Sequence, residues 1–182
     1  MNTKVLFSMV CLTLGAIHTL NVPVYAASSA IPEVNHAELI AEAQKRAREA
    51  MQAIVQVSTS LEMHGGELEK PGLLYLNAMI ELQNVGDKAD RTIAKIVAVA
   101  PASLALPFEV IAESKKASAE LRAIITQAEQ TIIVGSPEKL PEVATRQAYE
   151  IACARASMAS VAAQLTAINY TDWISTMQQQ QQ

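Results

Sequence analysis

The sequence predicts an all-α protein, an antiparallel up-down-up-down four-helix bundle with a long C-terminal helix. Three observations lead there. Four long segments repeat apolar or small residues at alternating spacings of three and four, the rhythm of helices packing along a seam. Short breaks marked by Gly or Pro separate these segments. No run of alternating aromatic and β-branched residues suggests a strand.

The chain begins with a targeting signal. Lys4 precedes an apolar stretch from Val5 to Leu20, followed by Pro23 and the small-residue pattern Val24-Tyr25-Ala26. This is the order of a secretory signal peptide, with cleavage expected after Ala26. The stretch is shorter than the roughly 20 apolar residues needed to cross a bilayer. No later segment reads as a span, so no stable transmembrane anchor is expected after cleavage. Residues 27–177 then make a single bundle domain, and 178–182 a disordered glutamine tail. A periplasmic or secreted destination follows. Cleavage also leaves one cysteine, Cys153, which excludes an internal disulfide and places stability in packing. Among alanines on a helix, Cys153 reads as a small buried hydrophobe.

The first helix is expected from Asn35 to His64, with Ala43, Ala47, Ala50, Ile54, Val57 and Leu61 inward. Asn35 with Glu38 three residues later resembles a capping box, and Gly65-Gly66 stops the helix. The second helix carries Met79, Leu82, Gly86, Ala89, Ile93, Ile96 and Ala100 and stops at Pro101. Gly86 falls on the seam, where a missing side chain allows close approach; the alternative is a local weak point. The third helix begins near Pro107-Phe108 and turns Val110, Ser114, Ala117, Leu121, Ile124 and Ala128 inward, before Gly135-Ser136-Pro137. The fourth begins near Pro141 and is expected to place Ile151, Ala154, Met158, Val161, Leu165 and Ile168 inward. The short connections force consecutive helices antiparallel.

The composition excludes several functions. With 14 basic against 18 acidic residues, no basic face exists for nucleic acid. His36 and His64 stand at opposite ends of one helix and cannot share a metal. Zinc, haem, redox, hydrolase, Walker and dinucleotide motifs are absent, so no cofactor is expected. The seams assigned above contain no Lys or Arg, which argues against a bundle enzyme using buried charges. Charges instead pair along the helices: Glu42 with Arg46, Asp87 with Arg91, Arg146 with Glu150. Asn169-Tyr170-Thr171 matches a short glycosylation sequon.

Two features point to protein contacts. Tyr170 and Trp173, with Ile174 and Met177 continuing on that side, form an aromatic end on the fourth helix, near Phe108. They read either as a cap closing the bundle or as a partner-docking surface. The mature start, Ala30-Ile31-Pro32-Glu33-Val34 followed by Ala37-Glu38-Leu39-Ile40, resembles the minor pilus subunits of type IV secretion and conjugation systems. That resemblance implies export to the periplasm, association with the pilus tip or envelope partners, and no catalytic activity. The expected function is therefore an exported, non-enzymatic helical interaction protein of cell-envelope assembly or secretion. Its partner is an envelope protein or a second copy of itself. A carrier of a small apolar ligand in the bundle interior is the alternative, and a bundle enzyme, which would need a buried carboxylate or Arg, the third.

Overall fold

A computed structural model describes residues 34–64, 71–134 and 142–180. The expected signal peptide with its cleavage site, the Ile-Pro pair, the Gly65-Gly66 and Gly135-Ser136-Pro137 breaks and the last two glutamines lie outside the described residues. Among those described there are four helices and no strand: α1 (His36–His64), α2 (Pro71–Val99), α3 (Phe108–Val134) and α4 (Glu142–Gln179). The all-α bundle read from the sequence is therefore present. At α1 the Asn35 side-chain oxygen accepts the Glu38 backbone N–H at 3.1 Å, so the helix starts on a true cap. At the other end of the chain, α4 passes Met177 and takes Gln178 and Gln179 into the helix.

The core has three layers. One joins Ala43 of α1, Ile96 of α2, and Ala167 and Tyr170 of α4, with Leu104 of the α2–α3 connection. The middle layer joins Ala47, Ala89, Ile93, Ile111 and the alanines 159, 162 and 163. The third joins Val57, Leu76, Met79, Leu82, Leu121 and the alanines 148, 152 and 156. Helices α2 and α4 each pack on all three others, whereas α1 and α3 do not touch. The outer face of α4 consequently lies between α1 and α3.

The inward residues expected on α1, α2 and α3 are buried or half-buried as read. On α4 the expected seam is wrong at four of its six positions, Ile151 and Met158 being half-buried. Val161, Leu165 and Ile168 are 45%, 36% and 44% exposed, and Ala154 is exposed too. The face turned inward is made of Ala148, Ala152, Ala156, Ala159, Ala163 and Ala167, all nearly or fully buried. Two stripes at the same three-and-four spacing share this helix, about half a turn apart. Side-chain bulk pointed to the wrong one: the packed stripe is alanine, with Arg155 and Tyr170 the large side chains of α4 that enter the interior beside it.

Residues Arg146–Gln179 are also long and apolar enough to cross a membrane by composition, which corrects the sequence reading that no such segment follows the signal. Half of that window is buried inside the bundle. Its alanines raise the hydropathy without forming a run of large residues.

Between α1 and α2, Lys95 donates to Glu42 Oε2 at 3.0 Å and Thr92 Oγ1 donates to Oε1 at 3.2 Å. Lys95 chiefly, then Thr92 and Arg46, hold the Glu42 carboxyl below its ordinary value of 4.5. A depressed carboxyl contributes stability that is full above its unfolded value and lost as pH falls through its lowered one. Glu42→Gln is therefore expected to cost about 0.2–1 kcal/mol at neutral pH. That difference shrinks on acidification, as checked by urea unfolding across the acid range.

Candidate functional site

Two places on the molecule carry chemistry beyond ordinary packing: a buried charge network on the inward side of α4, and the apolar stripe on its outer side.

The network is built around Arg155, whose side chain is fully buried. This overturns the expectation that no Arg or Lys enters the interior. Arg155 Nη1 donates to Ser114 Oγ of α3 at 2.6 Å. Nη2 donates to Asp90 Oδ2 of α2 at 2.6 Å and to Asp87 Oδ1 at 3.4 Å. Asp87 also accepts Arg122 of α3 at 2.6 Å and Gln83 Nε2 at 3.0 Å, so it pairs across helices rather than with Arg91. Gln83 Nε2 donates in addition to Ser118 Oγ at 2.7 Å. One guanidinium thus ties three helices at a single level.

Gly86 explains how the guanidinium fits. A Cβ built there would lie 2.8 Å from Arg155 Cζ and 2.9 Å from Nη1, closer than any real contact. The close-approach reading of Gly86 is right, but what approaches is a side chain rather than a neighbouring backbone. Burial pushes the Asp90 carboxyl above its ordinary value, against the opposing pull of Arg155. Asp90 Oδ1, Gln83 Oε1 and Arg155 Nε have no hydrogen-bond partner among the described residues. A shallow cleft of about 370 Å³ opens beside the network, lined by Gln83, Asp87, Arg122 and Glu129 among others. No group of three or more possible metal ligands occurs among the described residues.

The signals for Arg155 were present in the sequence. Gly86, Ser114 and Ser118 leave space on facing seams, and Asp87 and Asp90 stand within one turn of Gly86. Alanines at 152, 156 and 159 surround Arg155 on its own helix, where a long side chain can extend without crowding.

The outer stripe of α4 runs Ile151, Ala154, Met158, Val161, Leu165 and Ile168, at spacings of three and four. Of these, Val161, Leu165 and Ile168 reach solvent, while Ile151 and Met158 are half-buried. Met51 and Val55 of α1, 47% and 62% exposed, lie on the side of that helix turned away from Glu42 and α2.

The aromatic end is divided. Tyr170 is fully buried, shares a 2.6 Å hydrogen bond with His36 Nδ1, and stacks on Trp173 at 5.6 Å between ring centroids. It is part of the cap, with Leu39, Leu104 and Leu106 around it. Trp173 and Ile174 are half-buried in that cap, and Met177 is 40% exposed. Tyr170→Ala would open a cavity rather than trim a surface. Among these four residues, Met177 and the exposed parts of Trp173 and Ile174 can meet a partner directly. Asn169 of the sequon spends its side-chain N–H on the Ala105 carbonyl.

Cys153 is half-buried against the core, and burial pushes its thiol above the ordinary value. The neighbouring Tyr149 hydroxyl is pushed up to about 12, by burial and then by Cys153. A thiol so placed is a poor nucleophile.

No family model matches this chain, and no curated protein or solved structure matches it either. The functional reading rests on the residues themselves.

Proposed function

We propose that the protein is an exported, non-enzymatic helical interaction protein, a component of cell-envelope assembly or secretion machinery such as a minor pilus-associated subunit. The observation that carries this reading is the outward stripe of α4. Val161, Leu165 and Ile168 are large and apolar and stand in solvent on a helix whose inward face is already filled by alanine. Interfaces take their affinity from such anchors when a partner removes them from water. The targeting signal and the Ile-Pro leader supply the compartment in this reading, and Met177 with the edge of Trp173 extends the contact surface toward the end of α4.

The test is affinity capture of the chromosomally tagged protein from its native host after gentle cross-linking. Wild type is compared with Val161→Glu and Leu165→Glu. Stoichiometric recovery of envelope or pilus components with wild type, and their loss with both variants at unchanged helical content, is the expected result. Recovery of the protein alone from wild-type cells contradicts it.

One observation favours a second reading, a bundle enzyme. Such an enzyme requires a buried Arg or carboxylate, and Arg155 is one. Its bonds to Asp90, Asp87 and Ser114 come from the bundle itself, however, and a structural role accounts for them. The enzyme reading gains if a substrate-like small molecule stays bound through purification and native mass spectrometry shows that Arg155→Lys loses it.

A further inference from the structure

We draw no further inference here: the strongest candidate, the apolar stripe on the outer face of α4, is bordered by exposed charges of both signs, with Glu150 and Asp172 on its own helix, and nothing in the structure shows what covers it.

Discussion

Arg155→Ala is expected to destabilise the bundle by about 3–5 kcal/mol, because it strands Asp90 without the guanidinium that offsets its burial, while Asp87 keeps Arg122 and Gln83. The circular dichroism of the variant should remain helical, with a lower urea midpoint. Lys is a poor replacement, since one ammonium cannot serve Ser114, Asp90 and Asp87 in the fork geometry that Arg supplies. The more discriminating variant is Gly86→Ala. In an ordinary helix interior this change gains about 1 kcal/mol. Here the new Cβ meets the guanidinium at 2.8 Å and must displace it from a fully buried position, so the change is expected to destabilise wild type. In the Arg155→Ala background the obstacle is gone and the same change should stabilise. A reversal of sign between the two backgrounds is the signature of this contact. Additive effects would mean that Gly86 and Arg155 do not meet.

The second large effect separates the two faces of α4. Ala163→Leu adds bulk to a fully buried position on the inward face and is expected to cost about 1–3 kcal/mol through overpacking. Leu165→Glu, two residues on and turned outward, should stay within about 0.5 kcal/mol of wild type. Thermal unfolding of both variants in dilute solution measures the contrast. The assignment that sequence periodicity favours, with Leu165 inside, demands the opposite order.

That contrast also marks how much could be read without coordinates. The existence and type of the four helices were legible, as were the start of α1 at Asn35 and Glu38, the end of α2 at Pro101 and the start of α3 at Pro107, whereas the end of α4 was set too early at Met177. The inward faces of α1, α2 and α3 were legible too, since there the larger apolar residues and the seam coincide. On α4 they do not. Periodicity shows that a helix has a face but cannot say which of two interleaved stripes is packed, and on α4 the packed one is the alanine stripe. Arg155 was hidden for a different reason. A charged residue among alanines reads as surface until its partners are seen, and those partners, Asp87, Asp90 and Ser114, come from two other helices. Tyr170 was ambiguous for a related reason: its ring belongs to the interior and its hydroxyl finds His36, a partner 134 positions away in sequence.

These features give α4 two jobs with opposite requirements. Its inner side fixes the register of the bundle through methyl-sized packing and one buried guanidinium, and its outer side keeps large apolar groups available. The outer stripe is consequently not needed for folding, and substitutions there can change association while leaving the fold intact.

The most direct measurement is maleimide labelling of single cysteines along α4 in a Cys153→Ser background, on dilute, folded protein. Cysteines at 161, 165 and 168 should react at rates near those of the unfolded chain, and cysteines at 159, 163 and 167 should be strongly protected. Protection at 161, 165 and 168 in the dilute protein, with rapid reaction at the alanine positions, would contradict the account.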